Sequence, residues 1–167
     1  AEQSIYLEQK ILKEAVGSQD QIASSFGGFN EIEFKTNGKY KLKPLLTNKN
    51  DLESLEKNLI LVFAGVRAKS STADDIAKTY IKKLQTNKKK NVIEIIQHVK
   101  EAKKYLINKN FTEFGKLLNE TWKIKKDLSS SVSNHKLNEI YDFALHNGAT
   151  GGKLLGAGGS GFFLFYV

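Results

Sequence analysis

The feature that most constrains this chain is its last stretch, GATGGKLLGAGGSGFFLFYV, in which seven of 20 residues are glycine. The closing apolar run FFLFYV has the length of a strand. Just before it, Gly156, Gly158, Gly159 and Gly161 allow positive φ and close backbone approach. Two readings follow from the residues. One is a tight glycine turn between two sheet strands; the other is a loop whose N–H groups face an anion. No Gly-Lys-Ser/Thr ends the segment, so it is not a Walker loop. A strand follows where a dinucleotide fingerprint needs a helix.

Upstream, helical and strand periods alternate. The first 15 residues place Leu7, Ile11, Leu12 and Ala15 on one helical face, and Gly17 breaks the pattern. Short strand-like runs at Glu31–Phe34 and Tyr40–Leu42 flank Asn37-Gly38, a hairpin signal in which both residues tolerate positive φ. Asn50 and Asp51 can cap a helix holding Leu52 and Leu55. The run LILVFAG, Leu59 to Gly65, reads as a central strand buried on both faces. Ser70, Ser71 and Thr72 can start a helix with Asp74 and Asp75 in its first turn. Longer helical patterns cover Asn91–Ile107, Phe111–Leu128 and His135–Asn147, the last ending at Gly148. Few strands interleaved with helices predict an α+β fold, helices packed on one face of a small, mostly antiparallel sheet.

The 167 residues suffice for one domain, or one and a piece of another. With no cysteine, disulfides, thiol catalysis and Cys-ligated zinc are excluded, and the cytoplasm is the expected location. No apolar run approaches the roughly 20 residues of a membrane span. Net charge is +8, which attracts anions, but Arg67 is the single arginine. Lysines lack the bidentate fork that reads bases, so nucleic acid is not the expected partner. Lys88-Lys89-Lys90 reads as a solvated turn between two helices. His98, His135 and His146 have no paired-ligand spacing, and no protein-held metal is expected. Nor does any serine sit in a G-x-S-x-G turn. In Gly17-Ser18-Gln19-Asp20-Gln21, Asp20 reads either as a helix cap or as a carboxylate that orients or deprotonates a hydroxyl.

Four separated segments, in order, carry a family resemblance: GSQDQIASSFGGFNEIEF, LVFAGVRAKSS, NETWKIKKDLSSSVSN and GGKLLGAGGSGFFLFYV. Together they resemble the sugar-kinase branch of the GHMP kinase superfamily, most closely the heptose 7-phosphate kinases and next the bacterial fucokinases. The resemblance implies a GHMP C-terminal, ferredoxin-like domain over residues 47–167 and the end of an N-terminal kinase domain over 1–46. It implies transfer of phosphate from ATP, with Mg²⁺ brought by the nucleotide, to the anomeric hydroxyl of a heptose 7-phosphate. It makes Asp20 the group beside the acceptor hydroxyl, with Gln19, Gln21, Gly27, Gly28, Arg67 and Lys69 around the sugar. It lines the nucleotide side with Gly156, Ala157, Gly158, Gly159, Ser160 and Gly161, where Ser160 replaces a usual glycine and is expected at a conformationally tolerant spot. Trp122 is expected in the core, and Lys125 and Lys126 stand open between cleft and solvent. The family's main nucleotide loop would lie upstream of residue 1, so the chain is expected to be a C-terminal half, inactive alone. The alternatives are a fucokinase or other hexose kinase and, from another class, a non-catalytic phosphate-ligand binding module.

Overall fold

The computed structural model describes residues 1–66, 78 and 89–167. The chain forms two compact units, Ala1–Glu53 and Ser54–Val167.

In the first unit, helix α1 (Glu2–Tyr6) widens into a π-helical turn at Leu7–Ile11. The expected helix therefore ends short of Ala15. Leu12 N donates to Leu7 O at 2.9 Å, and Lys13 takes φ 55, which no helix can continue. Helix α2 spans Gln19–Phe26. Strands β1 (Asn30–Phe34) and β2 (Tyr40–Pro44) pair antiparallel, with Phe34 opposite Tyr40. The hairpin is looser than a two-residue Asn-Gly turn. Lys35 N donates to Lys39 O, leaving three residues in the loop, and of these Gly38 alone takes positive φ. Asn37 instead accepts a bond from Lys39 N on its side chain. Helix α3 (Lys49–Glu56) is capped two residues earlier than expected, by Asn48, whose Oδ1 accepts from Asn50 N at 2.9 Å.

In the second unit, β3 (Leu59–Gly65), β4 (Gly151–Leu154) and β5 (Gly161–Tyr166) form an antiparallel sheet in the order β3-β5-β4. The LILVFAG run is thus an edge strand in this sheet and not the central one. Leu61 and Phe63 are 61% and 59% exposed, while Val62 and Ala64 point the other way toward the core. A continuous apolar run cannot by itself separate an edge strand from a central one. The central strand is β5, whose Phe163 and Phe165 are 0% and 2% exposed.

Helices α4 (Lys89–Ile107), α5 (Phe111–Leu128) and α6 (His135–His146) follow the expected periods. Lys89 and Lys90 lie in α4 rather than in a turn, and both are exposed. Asn134 caps α6 by accepting from Leu137 N, and Gly148 follows its end at φ 103, as expected. The helix expected from Ser70 lies outside the described residues.

Helices and sheet meet in an aromatic cluster. Trp122 of α5 and Tyr141 of α6 pack on Phe163 and Phe165, with ring centroids 5.3–6.0 Å apart. The Tyr141 hydroxyl lies 2.8 Å from Asn119 Oδ1 and 3.1 Å from Gly152 O, so helix α6 is tied to both α5 and β4. Burial pushes this phenol up to about 12, which keeps its proton in place. Helix α5 also approaches the sheet closely. A Cβ on Gly151 would strike the Gly115 carbonyl oxygen, and one on Gly115 would come within 2.7 Å of the Tyr166 ring.

Gly151→Ala should therefore cost about 1–3 kcal/mol through overpacking. Gly17→Ala meets nothing within 4 Å and should stay within about 0.5 kcal/mol of wild type. Tyr141→Phe strands two acceptors and should cost about 1–2 kcal/mol. Urea unfolding midpoints check all three.

Candidate functional site

The first unit holds the acidic candidate. Ser18 occupies the N-cap position of α2 without a side-chain cap bond, and Asp20 stands exposed in the first turn. Asp20 is therefore not the helix cap, which leaves its carboxylate available. Its helix is anchored by Ile22, fully buried two residues along. The preceding Gly17 turn is braced by Gln9, whose Nε2 donates to Val16 O at 3.0 Å and Ser18 Oγ at 3.1 Å. Gln21 is half-buried; its Nε2 donates to Glu8, and its Oε1 has no partner among the described residues. Gln19 is exposed. Gly27 and Gly28 end the helix at φ 64 and 71, so the chain can turn into β1. A cleft of about 580 Å³ lies in this unit between residues 2–10 and the hairpin tip at 38–40. None of the site residues expected from the sequence is among those lining it. Arg67 and Lys69 lie outside the described residues.

The second unit holds the glycine loop. Leu155 N donates to Phe162 O at 2.9 Å, so residues 156–160 are the loop of the β4–β5 hairpin. The expected turn between two strands is thus present. Gly156, Gly158, Gly159 and Gly161 all take positive φ, from 70 to 112. Ser160 does not, so serine is unstrained there, as expected. Gly158 is the most constrained position. Its φ is 112, and an added Cβ would sit 2.9 Å from the Val132 Cα and carbonyl oxygen. Gly159 N donates to that same oxygen at 2.9 Å, docking the loop on the segment after α5.

Helix α5 supplies a cation to this loop. Lys125 Nζ donates to Gly156 O at 2.7 Å and to Leu154 O at 3.3 Å, spanning the end of β4 and the start of the loop. Burial, then the charge of Lys153, pushes Lys125 down to about 8. Lys153 on β4 is lowered as well, by burial. Lys126 turns elsewhere, 5.9 Å from the Trp122 ring centroid and 5.7 Å from that of Tyr141. Trp122 itself is fully buried, a core residue as expected. The sequence reading weighed Lys125 and missed Lys153. Its signal is a lysine set between Gly152 and Leu154 in an otherwise apolar strand.

Among the described residues, no group of three or more His, Asp or Glu side chains is placed to hold a metal ion. No described helix is long and apolar enough to cross a membrane.

Residues 102–166 match the family described as GHMP kinases C terminal. Those residues carry the C-terminal domain of the GHMP kinases. It is 36% identical over 152 residues to D-glycero-alpha-D-manno-heptose 7-phosphate kinase of Campylobacter jejuni, covering 90% of this chain and 44% of that protein. It superimposes on a D-glycero-D-manno-heptose 1-phosphate kinase from Bacteroides thetaiotaomicron with a TM-score of 0.64 and 29% identity. That match covers 97% of this chain and 42% of the other. L. major mevalonate kinase, solved with R-mevalonate, shares the fold with a TM-score of 0.72 at 22% identity, over 89% of this chain and 43% of that one. The chain thus spans less than half the length of these relatives. In this GHMP domain the glycine loop lies at 156–161, and the family match ends within the strand that follows it.

Two outcomes follow from this geometry. Gly158→Ala should cost more than about 2 kcal/mol, since left-handed strain adds to the clash on Val132. Lys125 has a native value below that of the unfolded chain, so the unfolded chain binds more protons between about pH 8 and 10.5. Stability must therefore rise with pH across that window. Measured by denaturation in phosphate-free buffer, wild type should gain about 3 kcal/mol over Lys125→Met between pH 7 and 10.5.

Proposed function

We propose that the full protein is an ATP-dependent sugar kinase acting on the anomeric hydroxyl of a heptose 7-phosphate. The observation that carries this reading is the 36% identity to a heptose 7-phosphate kinase over 90% of the chain. The glycine hairpin loop, docked on Val132 and held by Lys125, supports it. The solved relative is named for a heptose 1-phosphate, so the two names differ over which phosphate the acceptor already carries. The greater identity and the curated name favour the 7-phosphate.

On this reading, Asp20 accepts the proton of the acceptor hydroxyl as that oxygen forms its bond to the γ-phosphorus of ATP. The bond from that phosphorus to the β–γ bridging oxygen breaks, and ADP leaves. Exposure at a helix start suits a carboxylate that must meet a substrate from solvent. Gln19, Gln21, Gly27 and Gly28 border the sugar beside it, with Arg67 and Lys69 contributing basic contacts. Gly156, Ala157, Gly158, Gly159, Ser160 and Gly161 face the phosphates. Mg²⁺ would arrive with the nucleotide, held mainly by phosphate and water oxygens.

The test is ADP release by the full natural chain with Mg-ATP and, in turn, D-glycero-D-manno-heptose 7-phosphate, fucose, galactose or mannose. Turnover on the heptose phosphate is expected. Turnover on fucose alone assigns the fucokinase reading, and silence on all four from a folded chain removes the heptose 7-phosphate reading and leaves other acceptors and then the non-catalytic module. In the active enzyme, Asp20→Asn should lower kcat by about 10²–10⁴-fold with KM within a few-fold. Unchanged turnover would take Asp20 out of the mechanism.

A further inference from the structure

We propose that Glu8 and Gln9, neighbours on the π-helical turn of the first unit, are positioning residues that hold the start of α2 so that the Asp20 carboxylate meets the acceptor hydroxyl. The inference rests on the reading of Asp20 as the group that takes the acceptor's proton. Gln9 Nε2 donates to Val16 O at 3.0 Å and to Ser18 Oγ at 3.1 Å. Glu8 accepts from Gln21 Nε2. The two residues thus grip the chain just before Asp20 and the side chain just after it, while Asp20 itself stays exposed. Behind it, Ile22 N donates to Ser18 O at 3.2 Å, and the Ile22 side chain is fully buried.

The arrangement differs from ordinary helix stabilisation in three ways. On an α-helix, adjacent residues do not face the same neighbour. Here they do, and the turn that carries them is π-helical, a rare geometry that gathers at functional sites. A serine at the N-cap ordinarily accepts from a backbone N–H of the first turn. Ser18 makes no such bond, and its oxygen accepts from Gln9 instead. A carboxylate only accepts, so Glu8 fixes Gln21 with its amide nitrogen toward the π turn. Both partners are half-buried, and a bond to an ionised group belongs to the stronger class. Helix α2 has eight residues, too few to be stable unaided. Proton transfer needs heavy atoms within about 2.6–3.2 Å, so the direction of that first turn must be set from outside the helix.

Hydrogen exchange reads the clamp without turnover. In the full natural chain, the Ile22 amide should exchange about five- to tenfold faster in Gln9→Met and in Glu8→Met, with the β1–β2 amides unchanged. Glu8→Gln keeps an acceptor oxygen and should exchange as wild type. So should Lys10→Met, on the same turn but exposed. In the active enzyme, Gln9→Met and Glu8→Met should each lower kcat about tenfold with KM within twofold, and Glu8→Gln should restore the rate. Residues that act through Asp20 have nothing left to position once that carboxylate is gone. Neither variant should therefore lower the residual rate of Asp20→Asn further, whereas a merely structural role would lower it by the same factor again. Unchanged exchange at Ile22, unchanged kcat, or a further tenfold loss in the Asp20→Asn background would each overturn the proposal and leave Asp20 in its role. Wild-type turnover in Asp20→Asn alone is a separate result, and it strikes the reading of Asp20 and this proposal together.

Discussion

The second unit depends on one packing event, the closure of Trp122, Tyr141, Phe163 and Phe165 around a single point. These rings come from α5, α6 and the central strand, so none of the three can shift without opening the others. Each large ring brings on the order of 150–250 Å² of buried surface, more than any aliphatic neighbour can offer. Burial alone has no direction. The Tyr141 hydroxyl supplies it by reaching both Asn119 and the Gly152 carbonyl. The glycines at 115 and 151 let helix and strand come close enough for that contact to form, and Gly152 makes room for the Phe165 ring of the neighbouring strand. Their small size is a packing requirement, separate from the conformational role of Gly156 and Gly158 in the loop.

That division between glycines explains what the sequence made legible. The loop and the terminal strand stood out because positive-φ turns and apolar runs leave local marks. The three long helices were readable for the same reason, their periods being sustained over several turns. Edge and center were not readable for LILVFAG, because the sheet order depends on which strand the distant C-terminus inserts beside. The first helix overran because its apolar stripe continues past Ile11, while the backbone at Lys13 turns away. The hairpin at 35–39 kept the glycine but not the Asn-Gly geometry, a difference of one residue in loop length that composition does not encode. Among the site residues, Asp20 and the loop could be singled out from motif order. Lys153 could not, since its meaning comes from its nearness to Lys125, 28 positions earlier in the chain and on another element.

Lys125 then occupies a position of mixed purpose. As a tether it satisfies two carbonyls at the point where β4 gives way to the loop, and this favours keeping it buried. As a charge it is disfavoured by the same burial and by Lys153. The conflict can be resolved by losing a proton or by gaining an anion. At neutral pH the value of about 8 keeps the proton on most of the time. The unliganded domain therefore carries an electrostatic penalty beside its most constrained loop.

An anion that relieves this penalty stabilises the native state by an amount set by its own concentration and affinity, because the unfolded chain offers no such pair. The loop itself would change little. Gly158 is wedged on Val132, Gly159 N is already bonded to Val132 O, and Lys125 already holds Gly156. What binding changes is the charge balance around a backbone that is fixed beforehand, and a preorganised backbone spends little of the binding energy on ordering. Rigid glycine geometry and mismatched lysine charge are thus complementary features. The first fixes the path of the loop before any ligand is present, and the second leaves positive charge beside it.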